Sequence, residues 1–589
     1  MNPPSPTATA RLASALPSAR FVWLLAALVV IAGSFEITRP GYSVDEEFTE
    51  FAVRGIRERG LPILPSGLLY DRGVAYSYAS AAIDGRIVSL ACAALSMVLT
   101  FAVVRRNATP TAGLLASTLL ATSLPFWATA TTGRFYAAFL LSILATIGAL
   151  GSSGLLVVAA LVARLLHELA FVLVVIPVLC ALVARGDRRR WLVASAATLG
   201  GLLLGQLVLF ALHALDPPSG DTMVRRFFLW QVVNLFERPG DRQFGIALVV
   251  MAFAVLLAPA RAWLWMVTSL SVAAMIVAFS IARASNSEPL SVGLVVAVLR
   301  DGSRYPLDMF WHIARTTPLT LVLAIAGILA RLAGAGRLRQ GFHLRQGYGG
   351  QAGAQGGEWR PAERAAHLLW IGWVVWFGVI ESGITTNYLL LPVSFMLIAI
   401  AIDLNAIALR SRPTRVGVAV ATLVIAAVAL DQWRGEGPPG DRLEAARPTI
   451  NVPGIDEIRE SLQPNDRVVC TDELGCLMLV GRIDRWLALD DYVRERFLVR
   501  RTPEVVTGVY TGVPAVMRPV EVFSANADGS LPDRTLVIDI FKDYPIGNSR
   551  SWLPKAIEED GLQVTPLLET PQVRVLQVSP PERQARLQP

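Results

Sequence analysis

Charge is scarce in this chain. Asp, Glu, Lys and Arg make up 17% of its 589 residues, while 53% are hydrophobic. A soluble domain carries about 25% charge, and the mean hydropathy here is +0.50, so an ordinary soluble globule is excluded. Cysteine is scarce too. Four are present, with no CxxC pair and no Cys/His zinc spacing, which excludes a disulfide-built scaffold and a zinc module. Cys92 and Cys180 fall in apolar runs and read as inert packing residues. Cys470 and Cys476 lie in a mixed, outward segment where a bridge is permitted, but a spacing of six decides nothing. Alternating ten-residue segments are missing, against a β-barrel. No repeat relates the two halves, against a secondary transporter. No Ala-x-Ala cleavage site follows the first apolar run, which therefore reads as a retained span.

What is present is a series of long apolar runs, each able to cross a hydrocarbon core of about 30 Å as a helix. About thirteen crossings fit: near 20–37, 86–104, 111–130, 135–150, 153–167, 168–184, 191–214, 242–260, 262–282, 316–333, 365–382, 388–407 and 413–431. Placing Arg11 and Arg20 in the cytoplasm gathers the arginine clusters on one side. These are Arg105–Arg106, Arg185 with Arg188–Arg190, Arg261, Arg331 to Arg364, and Arg410 to Arg415. The net charge of +7 is thus a topology signal and not a nucleic-acid footprint. An odd number of crossings sends the C-terminus outside. The break near 167 is the least defined, since two short helices there could be one.

Domains follow from composition. Residues 1–431 form the transmembrane part, with the first outer loop at 38–85. A Gly-, Gln- and Arg-rich segment, "GRLRQGFHLRQGYGGQAGAQGGEWRP", lies within 334–364 and reads as a flexible cytoplasmic linker. A Pro/Gly stretch, "RGEGPPGD", marks a linker over 432–450. Residues 451–589 then read as an extracytoplasmic α/β domain. "DRVVCT", "RWLALD" and "TLVIDIF" are short β-branched strands, with "DELGCLMLVG" a helix between the first two. Asp472 and Glu473 there read as a helix N-terminus.

The first outer loop places Asp45, Glu46, Glu47 and Glu50 directly after the first span. Acids suit a helix start, and with Ser43 as N-cap, Glu46 holds the capping-box position. That leaves unexplained why a helix should begin at the membrane surface. The following segment reads as an amphipathic helix with its apolar side toward the lipid interface.

These residues resemble a family. "DEEFTEFAVRGIRERGLPILPSGLLYDRG" is similar to the first outer loop of the GT-C membrane glycosyltransferases, in the family 39-like branch of the lipid A aminoarabinose transferase and the protein O-mannosyltransferases. "TTGRFYAAFLLSILA" (131–145) resembles that branch's Arg–Tyr motif opening the fourth span. "LVARLLHELAFVLVVIPVL" resembles its broken fifth and sixth spans, and "TNYLLLPVSFMLIAIA" its late Tyr/Pro motif. The sequence departs from the branch at His167 and Glu168, where a Lys is common, and at Asn387, where an Arg often precedes the Tyr.

The resemblance implies a GT-C-like, polytopic α-helical membrane protein with a C-terminal extracytoplasmic α/β domain, in a bacterial-type inner membrane. It implies a glycosyltransferase that moves a hexose or pentose from a polyprenyl phosphate to a hydroxyl on a lipid, protein or polysaccharide acceptor, with inversion. Such chemistry needs a base for the hydroxyl and positive charge for the departing phosphate. Asp45 is the candidate base, with Glu46 beside it as orienting, sugar-binding or capping group. Arg134, Tyr136, His167, Glu168, Arg304, Tyr305 and Tyr388 are candidates for holding donor phosphate and sugar. Arg134 also fits a snorkelling anchor, and Arg304 with Tyr305, His312 and Arg315 also fits an interfacial belt. Only one outer loop is strongly acidic, so a metal-independent enzyme with no cofactor is expected. The competing readings are a secondary transporter, a scaffold, and a lipid-linked polysaccharide polymerase or ligase.

Overall fold

The computed structural model describes residues 8–43, 45–174, 177, 188–215, 312–329, 366–367, 369–374, 386–408, 414–434, 438–447, 449–488, 498–500, 506–508, 510–523, 531–540 and 549–579. The spans expected near 242–260 and 262–282, the Gly-rich segment at 334–364, and Arg304, Tyr305 and Cys180 lie outside the described residues. The chain divides into two compact units. One comprises 1–38, 86–211 and 224–447; the other comprises 39–85, 212–223 and 448–589. The acidic first loop therefore belongs to the same unit as the C-terminal sheet.

The first unit is helical and apolar. Four described helices are long and apolar enough to cross a membrane: Ala19–Ile37, Gly85–Arg106, Arg189–Leu212 and Tyr388–Asn405. Two further apolar helices, Pro110–Ala121 and Leu124–Ala130, meet at 67° and are long enough to cross only if taken together. Pro125 sits in the first turn of the second piece, where its missing N–H costs nothing. The carbonyls freed at the break find indole donors. Trp127 Nε1 donates to Ala121 O and Trp433 Nε1 to Thr122 O, both at 2.7 Å. Tyr136–Gly148 and Ser153–Leu166 are shorter apolar helices. The outward faces of the helices in this unit are apolar: Trp23, Leu155, Leu207 and Leu423, on four different helices, are each more than half exposed. Gly201 and Gly205, four apart, let the helix Arg188–Leu215 press against Val157, Leu161 and Arg164 of Ser153–Leu166, where a Cβ would collide.

The second unit is built on a sheet. β1 (Tyr42–Ser43) pairs antiparallel with β2 (Thr449–Ile450). The main six-stranded sheet uses β3 (Arg467–Cys470), β4 (Arg485–Leu487), β7 (Ala515–Val516), β8 (Thr535–Ile540), β9 (Gln563–Glu569) and β10 (Val573–Ser579). Between β4 and β7 in the chain, β5 (Leu498–Arg500) and β6 (Val506–Gly508) form a separate antiparallel pair. The main order is β7-β4-β3-β8-β10-β9, parallel from β7 to β8 and antiparallel beyond. Alternation explains its two cores. Val468 and Cys470 face one side with Tyr42, Leu479 and Ile538, while Val469 faces the other with Val537, Leu553 and Ile557. Every residue of β8 is buried, as expected of a central strand covered on both faces. Its Asp539 is neutralised by Arg574 from the neighbouring strand, at 2.7 Å.

The three strands and the helix read from the tail are all present. Cys470 and Cys476 are bridged, with Cα atoms 6.2 Å apart, inside the range a disulfide spans. The described residues of the stretch 432–450 carry regular structure where a Pro/Gly linker is expected. Pro439–Ala446 is helical, Leu443 and Ala446 pack with Ala128, and Thr449–Ile450 is β2. Proline at the first turn starts a helix here instead of breaking one.

Candidate active site

In the second unit, the acidic helix spans Glu46–Arg59. It begins two residues later than the capping reading places it. Asp45, not Ser43, occupies the N-cap position, and it does so with φ 73° and ψ 0°, the left-handed region. Among the described residues it is the one non-glycine with positive φ. Its side chain makes no capping hydrogen bond. Glu46 instead reaches back out of the helix, its Oε2 accepting the Ser43 N–H at 2.6 Å, the reciprocal half of the capping box expected with Ser43. Glu46 and Glu47 are both buried. A left-handed backbone costs most non-glycine residues about 1–2 kcal/mol, and aspartate is among the few that adopt it as single residues. Such outliers persist where the surroundings over-determine them, and they gather at functional sites.

The same dipeptide occurs again in this unit. Asp472 and Glu473 open the helix Glu473–Val480. Asp472 has ordinary extended backbone, φ −128° and ψ 120°, and its Oδ1 accepts the Gly475 N–H at 2.7 Å. That is a regular N-cap. Glu473 is fully buried, accepting from the N–H (3.0 Å) and the hydroxyl of Thr511, and burial pushes its carboxyl up to about 7.

The apolar face of the acidic helix is not turned to lipid. Phe51 and Ala52 pack with Leu64, Tyr70 and Leu474, the last on the helix Glu473–Val480. This corrects the interfacial reading: the stripe finds a protein partner within its own unit.

In the first unit, four expected residues meet. Tyr136 is the hub. Its ring lies 5.9 Å from Tyr388 and 6.3 Å from His167, and the Arg134 guanidinium sits 5.5 Å above it. Arg134 also covers Phe135 at 5.0 Å, while His167 stacks on Phe139 at 5.2 Å. Arg134, Tyr136 and His167 are at most 4% exposed, so Arg134 is no snorkelling anchor. The turn carrying Arg134 is fixed from several sides. Ser89 Oγ donates to the Arg134 carbonyl at 2.9 Å. Arg447 Nη1 donates to Thr131 O at 2.9 Å, with its Nη2 on Glu36 at 2.8 Å. The helix Ser153–Leu166 ends at His167, whose backbone is extended, and a 3-10 helix opened by Glu168 follows to Val174. Leu169 N–H donates to His167 Nδ1 at 3.1 Å, so the neutral ring carries its proton on Nε2 and can donate it. An arginine, an imidazole N–H and two phenols suit a phosphate and a sugar.

The structure adds ionisable residues that the sequence motifs do not name. His367 Nε2 and Asp403 Oδ2 lie 3.2 Å apart, and Trp370 Nε1 donates to His367 Nδ1 at 3.1 Å. Arg164 is 2% exposed, donating twice to Gln206. Each stands inside an apolar run, where an ionisable group is itself the signal. Among the described residues no group of three or more His, Cys, Asp or Glu is arranged to hold a metal ion.

No family model matches the chain, and no curated protein matches it. Solved structures do. The chain is similar to apo ArnT from Cupriavidus metallidurans, with 12% identity over 95% of this chain and 97% of that one, at a TM-score of 0.40. It is similar to the same ArnT bound to undecaprenyl phosphate, with 14% identity, 95% and 98% coverage, and a TM-score of 0.39. A third is the apo oligosaccharyltransferase of Archaeoglobus fulgidus, with 11% identity, 89% and 69% coverage, and a TM-score of 0.49. These proteins are GT-C fold members, the class the sequence resembles. At such TM-scores the likeness lends this chain no substrate or residue role.

Proposed function

We propose that this protein is an integral membrane glycosyltransferase that moves a sugar from a polyprenyl phosphate to an acceptor hydroxyl at the outer face of the membrane. The observation that carries the reading is the backbone of Asp45. An aspartate at the N-cap of a helix is held in the left-handed region without capping that helix. The identical dipeptide at 472–473, in the same unit, caps without strain.

In this mechanism the Asp45 carboxylate removes the proton of the acceptor hydroxyl as its oxygen attacks the anomeric carbon. The bond from that carbon to the phosphate oxygen breaks on the opposite face, so configuration inverts. The electron pair leaves with the polyprenyl phosphate. Arg134 and the Nε2–H of His167 stabilise that charge, and Tyr136 and Tyr388 hold phosphate or sugar by hydroxyl and ring. Arg304, Tyr305 and Glu168 keep the same assignment as further donor contacts. The reaction needs no metal. The donor arrives from the outer leaflet, with the N-terminus cytoplasmic and the C-terminal domain outside.

The test is a donor screen on the full chain in nanodiscs. Undecaprenyl-phosphate hexoses and pentoses are offered with lipid, peptide and glycan acceptors, and free undecaprenyl phosphate is measured. Acceptor-dependent release that survives a chelator supports the reading. Absence of binding and release for every donor overturns it, and release abolished by the chelator overturns its metal-free form.

A further inference from the structure

The tail of this protein reads as an extracytoplasmic α/β domain that follows the membrane part. Its packing gives it another task. Asp45 is pinned on both sides by the C-terminal sheet domain, within one compact unit. On the N-terminal side, Tyr42 and Ser43 pair as a strand with Ile450 and Thr449, and the Tyr42 side chain enters the sheet core beside Val468, Cys470 and Ile538. On the C-terminal side, Phe48 stands one turn into the acidic helix. Its ring stacks on Tyr70 at 5.6 Å and meets the Tyr510 ring edge-on at 4.8 Å.

Tyr510 is held in turn. Its carbonyl accepts the Ser66 N–H at 3.0 Å. The next residue, Thr511, gives both its N–H and its hydroxyl to Glu473. Gly508 closes the same loop. Its N–H donates to Val513 O at 2.9 Å, and it lies so near Glu473 that a Cβ there would collide with the carboxylate. The residue after Glu473, Leu474, packs under the acidic helix with Phe51 and Ala52. One helix start thus grips the loop through Glu473 and the acidic helix through Leu474.

We infer that the C-terminal domain, acting through the Tyr510 loop and β2, is a positioning element that holds Asp45 in its left-handed conformation for proton removal. A strained backbone survives only where its flanks are fixed, and here both flanks are fixed by this domain. Tyr510, Thr511 and Gly508 are positioning residues and touch no reacting atom. The inference rests on Asp45 being the base.

Its test compares Tyr510→Ala, Tyr510→Phe, Thr511→Val and Gly508→Ala in the full chain, with Asp45→Asn as reference. The probe is whichever undecaprenyl-phosphate sugar the donor screen turns over. Misplacing a reacting group by about 1 Å can cost on the order of a hundredfold. Tyr510→Ala and Gly508→Ala are expected to lower kcat by about tenfold to a hundredfold while donor KM stays within about twofold. Tyr510→Phe, which keeps the ring, restores kcat, and Thr511→Val, the mildest change, lowers it a fewfold. Backbone hydrogen exchange over 41–50, which needs no activity, is expected to quicken in Tyr510→Ala.

If Asp45→Asn is inactive while Tyr510→Ala and Gly508→Ala keep wild-type kcat per folded molecule, the inference falls and Asp45 stands. The inference also falls if KM rises with kcat intact, or if exchange over 41–50 is unchanged. If Asp45→Asn itself keeps full turnover, the reading of Asp45 falls and the inference with it.

Discussion

Two helices in one unit open with Asp-Glu, and the two pairs do opposite things. At 472–473 the aspartate caps its helix from extended backbone and the glutamate is buried against a neighbouring loop. At 45–46 the glutamate reaches back to Ser43 and the aspartate sits in the left-handed region without capping. Local sequence is the same and local conformation is not. The difference comes from what flanks each pair. Asp472 follows β3 in a parallel crossover, where extended backbone runs naturally into a helix. Asp45 lies between a strand and a helix that are both anchored elsewhere in the unit, and its own backbone takes up the turn.

The comparison can be broken in several ways. The largest effect is expected from Asp45→Gly. Glycine adopts positive φ without a steric cost, so the variant should gain about 0.5–1 kcal/mol of stability, within the cost of a left-handed non-glycine residue. Losing the carboxylate, it should also drop in turnover by roughly 100-fold or more. Thermal midpoint and product release, measured together, check both signs. A variant that is destabilised shows that Asp45 is not strained.

Arg134→Gln comes next. Removing the guanidinium from beneath a phosphate loses a charge-assisted bond of about 1.5–3 kcal/mol, so donor affinity should weaken by at least about tenfold. Titration with undecaprenyl phosphate reads this directly. An unchanged affinity makes Arg134 a packing group for Phe135 and Tyr136.

The third effect is one of pH. Burial raises Glu473 from its ordinary 4.5 to about 7. Between those values the folded chain binds more protons than the unfolded one, so stability falls as pH rises through that window. The full effect is on the order of 3 kcal/mol. Wild type should melt earlier at pH 8 than at pH 5, and Glu473→Gln should flatten the dependence. A wild-type midpoint that rises with pH contradicts the assignment.

The smallest effect is the cap. Asp472→Ala should cost about 1 kcal/mol, seen as a lower thermal midpoint with kcat kept. A large loss of kcat would mean that this pair, too, reaches the chemistry.

Much of this molecule was legible because its signals are local. β-Branched runs gave β3 and β8, a short aromatic and apolar run gave β4, and "DELGCLMLVG" gave the helix between the first two. Arg134, Tyr136, His167 and Tyr388 could each be named from a motif, but their convergence on the Tyr136 ring joins stretches more than 200 residues apart. The pairing of Tyr42–Ser43 with Thr449–Ile450 was out of reach for the same reason, and two-residue strands leave no periodic trace. So was the partner of the acidic helix's apolar stripe, since Leu474 and lipid ask for the same amphipathic pattern. The buried His367–Asp403 pair leaves a trace in the sequence, two ionisable residues inside apolar runs, but not the pairing between them.

The most direct measurement is release of free undecaprenyl phosphate by wild type, Asp45→Asn and Asp472→Asn, with donor affinity measured on the same preparations. Asparagine caps a helix about as well as aspartate, so Asp472→Asn should stay within about twofold of wild type. Asp45→Asn should fall at least about a hundredfold while still binding donor. Full turnover by Asp45→Asn would contradict the account, leaving the strained aspartate as a feature of folding and the base to be sought elsewhere.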